Sequence, residues 1–263
     1  MSIALQVALV MVTILVVLLV IGAPIGVAIG MSSAVSMICM IPADVSFATS
    51  AQRIFAGSNS FSLIAIPFFI LAGNIMNNGG IATRLVNCAK VISGRMPGAL
   101  AQSNVVANML FGAISGSGAA AAAAMGGTIG PLEEKEGYDK NYSTAVNVAS
   151  APVGMLIPPS NTMIVYSSVA GSVSIAALFM AGYIPGLLWG GAVMILAGIM
   201  AKKRGYQAEQ RVPVKVALPT FWQAIPSLLL IVIVIGGILG GIFTATEGSA
   251  IAVVYATVLS LIY

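Results

Sequence analysis

The stretch GALAQSNVVANMLFGAISGSGAAAAAAMGGTIGP, residues 98–131, decides the fold. It carries no charge, and the uncharged run extends from Met96 to Leu132, so an apolar medium suits it. Yet Ser115-Gly116-Ser117-Gly118 cuts it in the middle with residue types that readily leave a helix. Each arm is then roughly 14 residues, or about 21 Å of helix, whereas a bilayer core is about 30 Å thick. Two arms meeting at a flexible polar tip predict a re-entrant hairpin that enters and leaves on one face. The plain alternative for the tip is a helix-packing patch, the role assigned to the run Ala119 to Ala124.

Composition agrees with a lipid solvent. Of 263 residues, 59% are hydrophobic and only 7% charged, and the mean hydropathy is +1.05. A soluble globule carries about 25% charged residues. The fold class is therefore an all-α polytopic membrane protein. The expected spans are 3–21, 24–41, 61–77, 144–169, 175–200 and 222–242, with another begun near 246. Gly22-Ala23-Pro24 separates the first two; 42–60 is read as a loop carrying Asp44 and Arg53, and 79–97 as a surface helix ending at Pro97. The N-terminus lacks a basic leader and is read as a mature membrane helix. Trp189 and Trp222 are read as interface markers.

The net charge of +4 does not imply nucleic acid, because the basic residues sit in connections between apolar runs. Arg84, Lys90 and Arg95 lie in one such connection, and Lys202, Lys203, Arg204, Arg211 and Lys215 in another, 201–221. Three apolar units separate these two basic segments. If all three crossed, the segments would face opposite sides; with 98–131 re-entrant, both face the cytoplasm, as does Glu133 to Lys140. Cys39 and Cys88 have no metal or redox spacing and read as buried small residues. With no histidine, His catalysis and His ligation are excluded.

A second interruption lies at Ser150-Ala151-Pro152-Val153-Gly154-Met155-Leu156-Ile157-Pro158-Pro159-Ser160-Asn161-Thr162, midway along a span. One interior proline costs about 3 kcal/mol; three with a glycine mean a broken helix rather than a kink. Unwound backbone at membrane depth persists where it is buried in protein or lines a cavity. Its carbonyls offer oxygen to a cation, and the second half-helix, capped by Ser160 or Asn161, offers N–H groups to an anion. Broken helices of this kind form the sites of secondary transporters. Proton coupling uses buried Asp, Glu or His, and neither the hairpin nor the broken span contains one. Neutral oxygens suit sodium instead. Glu247 is read as structural, near an interface.

GAPIGVAIG at 22–30, SLIAIPFFILAGNIM at 62–76, GAISGSGAAAAAAMG at 112–126 and SAPVGMLIPPSN at 150–161 together resemble the large membrane (M, DctM-like) subunit of tripartite ATP-independent periplasmic (TRAP) transporters, sialic-acid-transporting members included. The resemblance implies an elevator-type sodium symporter of the ion-transporter superfamily with two inverted repeats. It implies a small membrane subunit (Q, DctQ-like) and a periplasmic substrate-binding protein as partners. Substrates would be carboxylates, sialic acid or C4-dicarboxylates, and the location the bacterial inner membrane. Carried onto this chain, Na+ would meet Ser115 and Ser117 at the tip and backbone oxygens of Gly154, Ile157 and Pro159; Gly116, Ser160 and Asn161 would face substrate.

The expected organisation is scaffold and amphipathic helices over 1–97 and transport elements over 98–169, namely the hairpin 98–131 and broken helix 144–169. A span and basic loop would follow over 170–221, and the start of a second repeat over 222–263. The second hairpin, second broken helix and second sodium site would lie past Tyr263, without which the chain would not transport. Other classes fare worse. An intramembrane enzyme would need a Ser–His or Ser–Lys pair, a diaspartate or HExxH. A channel or scaffold is suggested only by Gly22, Gly26 and Gly30, which helix packing explains. Within transporters the alternative is a binding-protein-independent sodium–dicarboxylate symporter.

Overall fold

A computed structural model describes residues 3–171, 173–206 and 213–263; Arg211 of the basic connection lies outside them. The chain forms two units, 1–60 and 61–263.

In the first unit, α1 (Ile3–Val20) is an apolar helix with no buried residue, long and apolar enough to cross a membrane. Pro24 and Pro42 each stand at a helix N-cap, where a missing N–H costs least. They start α2 (Ile25–Ile38) and α3 (Ala43–Ser58). Two expectations change here. The span expected over 24–41 is a helix of only 14 residues, because the chain turns after Ile38 and Pro42 restarts it. The loop expected over 42–60 is a 16-residue helix. Ser46 donates to the Ala34 carbonyl at 2.7 Å, joining α3 to α2. Cys39 is exposed, contrary to its reading as buried.

In the second unit a 3-10 turn at Phe61–Ile64 leads into α4 (Ala65–Asn78), and α5 (Ile81–Ser93) follows. The expected surface helix is amphipathic, burying one face through Ile81, Leu85, Val86 and Cys88 and leaving Thr83 and Asn87 exposed on the other. Its helix stops at Ser93, before Pro97. The Arg84 guanidinium lies over the Tyr263 ring, its central carbon 3.3 Å from the ring centre, a cation–π contact. The hairpin residues form α6 (Ala99–Ser115) and α7 (Gly118–Thr128), followed by the short α8 (Gly130–Lys135). The arms are unequal, 17 and 11 residues.

The broken span comprises α9 (Lys140–Ser150), α10 (Val153–Leu156) and α11 (Asn161–Ala170), bent by 47° between Lys140–Leu156 and Asn161–Ala170. Next come α12 (Ile175–Arg204), α13 (Val214–Leu239) and α14 (Ala245–Ile262). α13 begins earlier than residue 222 because Pro213 starts it inside the basic connection. Lys202, Lys203 and Arg204 fill the last turn of α12, where cations complement the helix dipole. Trp189 is no interface marker: it sits mid-way along α12 and donates its indole N–H to Ala149 O at 2.9 Å. Glu247 forms a capping box with Thr244 at the start of α14, a structural role.

Among the described residues, five helices are long and apolar enough to cross a membrane, six with the bent pair. The chain is a multi-pass membrane protein.

Candidate functional site

The hairpin is a fold-back whose two arms are bridged by one side chain. Asn147 on α9 donates to Ala122 O of α7 at 2.9 Å and accepts from Asn108 Nδ2 of α6 at 3.0 Å. Were the arms collinear, those two positions would lie about 20 Å apart. A single amide cannot bridge that, so the arms run side by side. Asn108 also reaches Asn104 Oδ1 at 2.7 Å and Ser150 Oγ at 2.9 Å. Asn104, Asn108 and Gly112 recur every fourth residue and therefore share one face of α6. Each polar member is buried and satisfied at least in part, as buried amides must be.

Further toward the tip the face becomes backbone. A Cβ on Gly112 would fall 2.2 Å from Gly154 Cα, and one on Gly154 2.5 Å from Gly112 Cα. α6 and α10 thus touch main chain to main chain. On the far side of the break, Gly182 and Gly186 of α12 admit Leu156 O and the Ile157 side chain at distances a Cβ would forbid, 2.2 and 2.6 Å.

The tip lodges in the break. Gly116 adopts φ +62, the left-handed conformation that glycine takes without strain, and ends α6. Its carbonyl accepts from Asn161 N–H at 3.3 Å. Asn161 Nδ2 donates to Ser115 O at 3.4 Å. Ser117 caps α7 by accepting from Ala120 N–H at 3.3 Å. Ser160 caps α11 by accepting from Met163 N–H at 3.4 Å, and donates to Met155 O at 2.5 Å. Two helix N-termini, of α7 and α11, and two C-termini, of α6 and α10, therefore converge on one place. Such ends carry partial positive and partial negative charge respectively.

The residues expected at the site separate as follows. Ser115, Gly116, Pro159 and Asn161 come together directly, with the Pro159 oxygen 3.0 Å from where a Gly116 Cβ would stand. Ser117 and Ser160 flank them as caps. Gly154 lies against Gly112 rather than at the tip, within the helical turn of α10. Ile157 packs its side chain on α12. Asn161 Oδ1 is buried and accepts no hydrogen bond from the described residues. The side-chain and backbone oxygens of Ser115 to Gly118 and of Ile157 to Asn161 are all uncharged. The Asn104–Asn108–Asn147 ladder and Gly73, whose Cβ would fall 2.8 Å from Ser115 Cβ, escaped the sequence reading. The four-residue repeat on α6 was the available signal.

A family model described as "Tripartite ATP-independent periplasmic transporter, DctM component" matches residues 12–263. YgiK of Salmonella typhimurium, named an uncharacterized protein, is 54% identical over 232 residues, covering 88% of this chain and 53% of its own. The C4-dicarboxylate TRAP transporter large permease protein of Rhodobacter capsulatus is 38% identical, covering 81% of this chain and 51% of its own. The sialic acid TRAP transporter large permease protein of Vibrio cholerae is 39% identical, covering 81% and 50%. The chain thus spans about half the length of these curated relatives.

Proposed function

This chain belongs to the DctM family of tripartite ATP-independent periplasmic transporters, and from that premise we propose that it is membrane-subunit sequence of a sodium-coupled importer of carboxylates in the bacterial inner membrane. The observation that carries the reading is the lodging of the Gly116 tip in the Pro158–Asn161 break, joined by the Asn161 N–H to Gly116 O bond.

Sodium is cargo here, moved down its gradient with the substrate. It would be held by the Ser115 and Ser117 hydroxyls and by backbone oxygens of Ile157 and Pro159. Gly154 shapes the site through its contact with Gly112. The buried, unpartnered Asn161 Oδ1 fits such an ion, since a hard monovalent cation takes neutral oxygens in place of its hydration shell. A substrate carboxylate finds no Lys or Arg on the hairpin arms or α9–α11 after Lys140. It would rest on the N-terminal N–H groups of α7 and α11 beside Ser160, Asn161 and Gly116.

The hairpin is re-entrant in this reading, its open end toward the cytoplasm, and travels with the broken helix as an elevator-type transport element. A DctQ-like small subunit would anchor the scaffold and a periplasmic binding protein would deliver substrate. Relatives are named for C4-dicarboxylate and sialic acid, both carboxylates, and this supports that substrate class.

Proteoliposomes holding the intact transporter test it. Uptake of labelled sialic acid or succinate should require both an inward sodium gradient and the binding protein. Uptake without the binding protein would indicate the independent symporter; indifference to sodium would end the proposal.

A further inference from the structure

Away from the tip, the open end of the hairpin encloses a cavity of about 380 Å³. Asn104 of α6, Gly126 of α7, Glu133 of α8 and Ser143 and Asn147 of α9 line it, with Glu134 and Lys140 at its exposed rim. Glu133 is 1% exposed. Its Oε1 accepts no hydrogen bond from the described residues, and neither does Asn104 Nδ2 donate one. Glu133 stands four residues after the fully buried Ile129, on the same helical face, which carries it inward while Glu134 points out.

A buried carboxylate must be paired, bind a cation or accept a proton. The walls offer little pairing. α6 and α7 contain no ionisable side chain. α9 brings Lys140, at the rim, and Tyr142; the connection between α8 and α9 brings Tyr138, which stacks on Tyr206. Lys135 and Glu136 are exposed, and Asp139 is bridged to Arg204 at 3.0 Å. We infer that Glu133 is a proton-binding site at the base of the hairpin: with the proton bound, α8 stays packed against both arms, and its loss leaves a buried charge that opens this end to water. The step balances simply, with one O–H bond formed or broken and the proton exchanged with water at the rim. Burial pushes the Glu133 carboxyl up to about 7, while the neighbouring Ser143 hydroxyl acts the other way. The site therefore responds at neutral pH.

Two measurements on the purified intact protein test this, neither requiring transport, so their failure is distinct from failure of the sodium reading. Infrared spectra titrated across neutrality should show a protonated-carboxyl band that fades as pH rises. Glu133→Gln should remove it, and Glu133→Asp should shift it. In a Cys39→Ser, Cys88→Ala background, Ser143→Cys reports opening by its thiol-labelling rate. Relative to the same protein carrying Glu133→Gln, labelling should be faster by up to about tenfold at about pH 8 than at about pH 6, following the ionised fraction. A band unaffected by both substitutions, or a pH-independent rate ratio, would overturn the inference.

Discussion

Leucine at Gly112 or at Gly154 is expected to undock the hairpin from the broken helix and to lower the melting temperature of the purified protein sharply. Even the first added carbon would sit 2.2 to 2.5 Å from the opposing Cα, inside any tolerable contact. The backbones cannot part to admit it. On one flank a Gly118 Cβ would meet Ala151 O at 3.1 Å, and on the other α12 presses Gly182 against Leu156 O. Overpacking a core side chain costs about 1–3 kcal/mol where neighbours can rotate aside. Main chain cannot, so the expected cost is at or above the upper end of that range, about 3 kcal/mol. Thermal unfolding in detergent or nanodiscs measures it. Wild-type melting in both leucine variants would mean that this backbone contact does not hold the two elements together.

The second large effect belongs to the tip. Gly116→Val and Ser115→Leu are each expected to lower sodium-dependent uptake by at least about 100-fold, the rate loss for about 2.7 kcal/mol, with membrane insertion intact. At Gly116 the φ of +62 is unfavourable for a β-branched residue. A Cβ would also crowd Pro159 O at 3.0 Å and Asn161 N at 3.1 Å. At Ser115, 1% exposed, the Cβ already lies against Gly73 of α4, so leucine has nowhere to go. Insertion should survive because both changes add apolar volume to a segment without charge. Uptake assays paired with membrane-fraction blots separate the two outcomes. Full uptake by Gly116→Val would show that the tip has no part in coupling.

Much of the fold was legible because lipid leaves few ways to satisfy a backbone. Long uncharged runs had to be helices, and the glycine–serine and proline-rich interruptions had to break them. The apposition of Gly116 with Asn161 follows from neither string alone, since it lies in the packing of the two arms on the broken helix, which the Asn108–Asn147 bond joins. Short helices were harder to see. α3 looked like a loop because Asp44, Arg53 and several small polar residues dilute its apolar pattern, yet Pro42 starts a helix there. Glu133 was hidden for a different reason. It sits in the charged run Glu133 to Lys140, which reads as a solvated connection, and only the packing of α8 under the hairpin takes the first of its glutamates out of water.

Equilibrium binding of radiolabelled sodium to the intact, purified membrane subunit tests most directly whether tip and break together hold the ion. Saturable binding is predicted for the wild type, lost in Gly116→Val and in Asn161→Leu but kept in Glu133→Gln, whose cavity lies at the other end of the hairpin. Wild-type sodium binding in both the Gly116 and the Asn161 variants would contradict the account.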